Sequence, residues 1–380
     1  MARRIAVFFS LVILLAAALA LSVKAQEPEP ELPEGFYSFE DELPEGASGH
    51  IPEGMRSEDL SEVAAGINEF LSLENILEVI GDELSVGLSA GARLFVTLGV
   101  MISLSAVIAA LENSLSSSAL SGALRICRVG VVFCSVFGII SSHLGEVAGF
   151  FERLNSLMLS MIPVLASVLA MGGNVAGAGA GSGALYTFVA VSENVLATSV
   201  MPVCLILASA TLSSGLVPEL KLSRVTSAVK KIYNFGLGLI MTVLLTLLSA
   251  NSSIASSADG VTARAAKLVS STVIPVVGGS VGDTLRTVAA SAGYIKSVVG
   301  IGGIIFLILL LLPTLISLLV TRLIFIVMSA FSEMLGCDTE AGFISELGNI
   351  YACLIAVVSM TSVMFIIALY IFVRVTVAAA

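Results

Sequence analysis

The apolar positions of this 380-residue chain fall into three patterns in succession. From Ser57 onward, Leu60, Val63, Ile67, Phe70, Ile76, Leu77, Ile80 and Leu84 recur near helical spacing against Glu58, Asp59, Glu62, Glu69 and Glu74. That alternation predicts one or two amphipathic helices over 57–92. Farther along, the polar positions vanish and the apolar runs lengthen to Leu94–Leu111, Val129–Leu144, Leu154–Met171, Val175–Val191, Val195–Leu212, Ile232–Ala250, Val298–Val320 and Ile350–Val373. Each is long enough, at about 1.5 Å per helical residue, to cross or nearly cross a hydrocarbon layer of about 30 Å. The third pattern is a semi-polar stretch, Asn251 to Lys296, too polar for an ordinary span and too apolar for a solvated loop.

These patterns predict an all-α polytopic membrane protein with about seven or eight transmembrane helices. Composition agrees, with 57% hydrophobic and 12% charged residues and a mean hydropathy of +1.04. Residues 1–25 carry Arg3 and Arg4, an apolar core from Ile5 to Leu21, and small residues before a cut after Ala25, as a cleaved signal peptide does. The chain from Gln26 onward is then expected to start on the outer face. Residues 26–56 are acidic and rich in Pro and Gly, with three related units, Leu32-Pro33-Glu34-Gly35, Leu43-Pro44-Glu45-Gly46 and Ile51-Pro52-Glu53-Gly54. Such a composition predicts a disordered tether. The remainder divides into extracytoplasmic amphipathic helices at 57–92, a first membrane portion at 93–250, a broken-helix hairpin at 251–297 and a second membrane portion at 298–380.

Charge sets the expected sidedness. Lys221, Arg224, Lys230 and Lys231 against Glu219 place the connection from Ser213 to Lys231 in the cytoplasm, as Arg125 and Arg128 do for the connection before Val129. With Glu146–Arg153 outside, an odd number of crossings must precede the basic connection, so 172–192 is expected to span rather than re-enter. Glu193 is expected at a turn, beside Ser192 and Asn194. Pro313 leaves two readings for the run that begins at Val298: one span ending at Arg322, or two segments hinged at the proline.

Two candidate functional stretches stand out. Gly177, Gly179, Gly181 and Gly183 lie in a small-residue run whose roughly four-residue spacing permits close helix packing, with pore lining or sliding as the functional alternative. In Asn251–Lys296, Asp259 and Asp283 are suited to cap two short helices that carry Arg264, Lys267 and Arg286, with Pro275, Gly278 and Gly279 at the break. Charge and irregular backbone at membrane depth require protein or water around them. The stretch is then either a pore-lining or gating hairpin or an amphipathic hairpin on the outer surface. No nucleotide-binding loop, nucleic-acid-binding patch, histidine cluster or catalytic constellation is visible, and the five cysteines read as packed thiols. No enzyme activity, cofactor or metal is therefore expected.

The strings Leu247-Leu248-Ser249-Ala250, Asp259-Gly260-Val261-Thr262-Ala263-Arg264-Ala265-Ala266-Lys267 and Ile274-Pro275-Val276-Val277-Gly278-Gly279 resemble the stage III sporulation protein AE family of endospore-forming bacteria. The resemblance extends over roughly Ser57 to Arg374 and leaves the Pro-Glu-Gly segment uncovered. It implies a subunit of the stage III sporulation A complex in the mother-cell membrane around the forespore, with its mature amino terminus outside. Its implied partners are the sibling subunits of that complex and, directly or indirectly, stage II sporulation protein Q, within a channel that sustains the forespore. The family supplies no catalytic residues. A homo-oligomer is a further implied possibility, and a stand-alone secondary transporter is the competing expectation.

Overall fold

The computed structural model describes residues 36–44, 47–57, 59–112, 118–171, 175–216, 223–273 and 278–374; over 251–293 it gives only the course of the backbone. The expected signal peptide, Leu32–Gly35, residues 217–222 of the basic connection and Pro275 lie outside these residues. Seven α-helices are found among them: α1 (Leu60–Phe70), α2 (Leu73–Glu112), α3 (Ser118–Met171), α4 (Val175–Leu216), α5 (Ser223–Val273), α6 (Gly278–Met334) and α7 (Asp338–Arg374). Six of the helices are long and apolar enough to cross a membrane.

Six replaces the expected seven or eight because two pairs of runs fuse. Val129–Leu144 and Leu154–Met171 are parts of α3, and Val175–Val191 and Val195–Leu212 are parts of α4. The charges at Glu146, Glu152, Arg153 and Glu193 interrupt hydropathy but not the helix. Beneath them a buried stripe continues at helical spacing through Val147, Phe150, Phe151 and Leu154 on α3, and through Phe188, Ser192, Leu196 and Val200 on α4. Glu193 therefore sits inside a helix rather than at a turn. At 54 residues, α3 is about 80 Å long, more than twice the hydrocarbon thickness. Pro313 lies within α6, which runs unbroken to Met334, so the hinge between two segments is not found. The second amphipathic stretch of 57–92 is the beginning of α2 itself, and its Leu77 and Leu84 are exposed.

α6 and α7 form the central hairpin. In their most apolar stretches 72% and 61% of residues are buried, against 17–29% in the other four spans. The turn between them is a Schellman ending: Gly336 adopts φ 75°, Cys337 N–H donates to Ser332 O at 2.9 Å, and Gly336 N–H donates to Glu333 O at 3.0 Å. Only glycine takes that left-handed conformation without cost.

The amino-terminal segment departs most from expectation. Where the Pro-Glu-Gly composition predicts a solvated tether, its described part forms three 3-10 turns, Tyr37–Glu42, Ala47–His50 and Glu53–Arg56. Phe39, Leu43, Ala47, Ile51 and Met55 recur every four residues, and all are buried. Phe36 and Phe39 pack edge-to-face on Phe306 of α6, with centroids 6.2 and 5.9 Å away. Gly302 makes room, since a Cβ there would lie 2.9 Å from Phe36 Cζ. Arg56 clasps the strap to itself, donating to both oxygens of Glu40 at 2.7 and 3.1 Å and to Ser48 O at 2.8 Å. α1 closes over it, capped by Asp59, whose carboxylate accepts from Ser61 N–H at 2.8 Å, and buries Leu60, Val63, Ile67 and Phe70.

Candidate functional site

Three polar features interrupt the apolar bundle. The first joins the end of α2 to the beginnings of α3 and α7. Arg128 is 7% exposed; its Nη2 lies 3.1 Å from Glu112 Oε2, and its Nε lies 3.4 Å from the fully buried Glu340. The Glu340 pair is an ion contact rather than an aligned hydrogen bond, because both carboxylate oxygens of Glu340 lack a hydrogen-bond donor. Such a pair clamps helix ends, since removing either charge strands the other in an apolar setting.

The second feature lies higher in the bundle. Asn155 Nδ2 on α3 donates to Glu193 Oε2 on α4 at 2.6 Å, and His143 Nδ1 lies 2.7 Å from Tyr351 Oη. His143 is thus engaged with α7.

The third is a cleft of about 560 Å³ between α2, α3 and α6, with Pro44 of the strap at its rim. Glu83, Glu146 and Arg153 supply its charges, and Pro313, Thr314 and Ser317 of the central helix form its wall. Ser317 Oγ donates to Glu146 Oε2 at 3.3 Å. Proline lacks an N–H, so at Pro313 a backbone carbonyl one turn earlier loses its helical donor beside this opening. The arrangement suits water, a small cation or a basic side chain. No group of three or more His, Cys, Asp or Glu able to hold a metal ion is found among the described residues.

The residues singled out in the sequence are placed differently. Gly181 meets α7 closely, where a Cβ would come within 2.9 Å of Phe372 Cε2, whereas Gly179 and Gly183 have nothing within 4 Å of that position. Gly177 lies at the start of α4. Asp259, Arg264 and Lys267 fall inside α5, which continues to Val273, so Asp259 does not start a helix. Gly278 and Gly279 open α6, and Asp283 and Arg286 come within its first turns. Their side chains, like Pro275 as a whole, lie outside the described residues. Sequence reasoning missed the Arg128 clamp, the Asn155–Glu193 bond and the Pro313 cleft; each joins groups from different helices. A continuous helical stripe beneath Glu193 was the one local signal available.

A long-helix bundle, a buried central hairpin and six candidate spans define a multi-pass α-helical membrane protein. Within that class the chain belongs to the stage III sporulation protein AE family, whose family model matches residues 57–376. It is 22% identical over 321 residues to stage III sporulation protein AE of Bacillus subtilis (strain 168), an overlap of 84% of this chain and 80% of that relative. No solved structure matches it. The strap of residues 36–56 precedes the matched region.

Proposed function

We propose that the chain is a non-enzymatic membrane subunit of the stage III sporulation A complex, lying in the mother-cell membrane around the forespore. There it works with its sibling subunits and stage II sporulation protein Q in the channel that sustains forespore development. The observation that carries this reading is the extension of α5 and α6 past their apolar spans. α5 continues from its apolar run Ile232–Ala250 to Val273, and α6 begins at Gly278, ahead of its apolar run Val298–Val320. These two helical extensions are rich in Ala, Ser and Thr, a composition that suits a partner-facing element better than a lipid-facing one.

Topology supports the same orientation. The fusion of two pairs of runs removes two crossings, so the parity argument is unchanged, and in this reading the basic connection from Ser213 to Lys231 lies in the cytoplasm and the α5 and α6 extensions lie outside. In this reading residues 1–25 are cleaved, the mature chain begins outside, and the stretch whose sequence holds Asp259, Arg264, Lys267, Pro275, Gly278, Gly279, Asp283 and Arg286 is the partner-facing element.

Co-purification from sporulating cells tests it. The wild-type chain should bring down sibling subunits, and Arg264→Glu with Asp283→Lys should lose them and block forespore development after engulfment. Unchanged partners and spores in that variant would remove the extensions from the functional centre. The Pro313 cleft favours a second reading, a stand-alone secondary transporter; robust solute uptake by the purified protein in vesicles would select it.

A further inference from the structure

The starts of α5 and α7 enclose an open groove of about 850 Å³ that the proposed channel role does not use. Arg224, Lys230 and Lys231 line it on the α5 side, and Glu346 and Asn349 on the α7 side. Lys230 Nζ is 3.5 Å from Glu346 Oε2, so one carboxylate faces three cations and the groove keeps a positive excess. Asn234 accepts from Cys353 Sγ at 3.3 Å through its amide oxygen, which leaves its NH₂ as a donor at the groove. The back wall is small and apolar, formed by Ala352 and Ala356.

Its setting decides what kind of anion fits. The apolar run of α5 begins at Ile232, directly after Lys230 and Lys231, so the cations sit at the end of the span, where hydrocarbon gives way to headgroups. Immediately beyond them, Ile232, Phe235 and Leu239 of α5 are 71%, 74% and 56% exposed. An anion bound by the cations would therefore have apolar surface beside it, as a lipid phosphate with its acyl chains requires and a free anion does not. Basic grooves between spanning helices favour anionic headgroups for this reason.

We propose that this groove binds the phosphodiester headgroup of an anionic phospholipid, with Arg224 and Lys231 as its main contacts and Glu346 limiting its affinity. The proposal needs only that the chain spans a membrane, so it stands or falls apart from the complex.

Full-length protein in detergent, titrated with phosphatidylglycerol or phosphatidylcholine of the same acyl chains and read by native mass spectrometry, tests it. Wild type should retain phosphatidylglycerol in preference. The Arg224→Gln/Lys231→Gln double variant should bind it about thirtyfold more weakly, at roughly fivefold per cation. Arg153→Gln, in the cleft away from this groove, should bind as wild type does. Glu346→Gln should bind about fivefold more tightly, and it keeps both cations should the double variant fail to fold. Equal retention of both lipids, equal loss in Arg153→Gln, or unchanged binding in Glu346→Gln would overturn the proposal. Displacement of the lipid by millimolar inorganic phosphate would also overturn it, by assigning the groove to a free anion.

Discussion

α2 and α7 are equally hydropathic in sequence, yet 61% of the most apolar stretch of α7 is buried and only 22% of that of α2. α2 turns Val96, Val100, Leu104 and Val107 outward, whereas α7 spends Tyr351, Leu354, Val358, Phe365 and Leu369 on its neighbours. Hydropathy cannot separate the two, because lipid tails are as apolar as a protein core and exert no preference for which apolar side chains face them. Packing makes the distinction through shape. Gly300, Gly302 and Gly303 on α6 each receive a large side chain from a neighbour, Val373, Phe36 and Met161 respectively. On the outer helices, Gly99, Gly130 and Gly138 receive none.

Breaking the clamp at the foot of α7 should have the largest effect. Arg128→Ala leaves Glu340 buried without its cation and should cost about 3–5 kcal/mol in an unfolding titration in detergent. Arg128→Met with Glu340→Leu should recover part of that loss. Next, Leu369→Ala, at 0% exposure, should cost about 2–5 kcal/mol, while Val100→Ala, at 59% exposure, should change stability by less than about 0.5 kcal/mol. Similar losses at the two positions would mean that α2 is covered by another molecule in the sample, erasing the contrast. A subtler comparison sets Gly303→Val against Gly138→Val. The first drives a side chain into the Met161 thioether and to within 3.3 Å of Leu369 Cδ2, and overpacking should cost about 1–3 kcal/mol; the second should be near neutral.

The smallest effect is local to the start of α1. Hydrogen bonds from the backbone and side chain of Ser61 hold the Asp59 carboxyl below its ordinary value. A carboxylate with a depressed folded-state pKa contributes stability that is present above its ordinary value and lost as pH falls through the folded one. Hydrogen-exchange protection at the start of α1, corrected for intrinsic rates, should therefore decline at acid pH in wild type. In Asp59→Ala it should be lower and independent of pH.

The apolar runs made the membrane class and the helical content legible in the sequence, and the inner stripe of α1 was legible residue by residue. The number of crossings was not. Glu146, Arg153 and Glu193 look like loop residues to a hydropathy reading, but helix propensity tolerates a charged position, the buried stripe beside each is intact, and Asn155 donates to Glu193. The strap was hidden for the opposite reason. Pro, Glu and Gly dominate its composition, while its information lies in the four-residue recurrence of Phe39, Leu43, Ala47, Ile51 and Met55. The polar features were illegible because Arg128 with Glu340, Asn155 with Glu193 and His143 with Tyr351 are distant in sequence.

The docking of Phe36 and Phe39 on Phe306 also fixes an order of events during synthesis. The strap leaves the ribosome before the six candidate spans, but the surface it covers belongs to the last two of them. Until α6 and α7 have entered the membrane, two phenylalanines and the apolar row behind them have no native place to go. Contacts of such long sequence separation close late and slowly, and chains that wait with apolar surface uncovered are prone to wrong associations. A strap that latches last can act as the step that completes the fold, joining an early-made segment to a late-made hairpin.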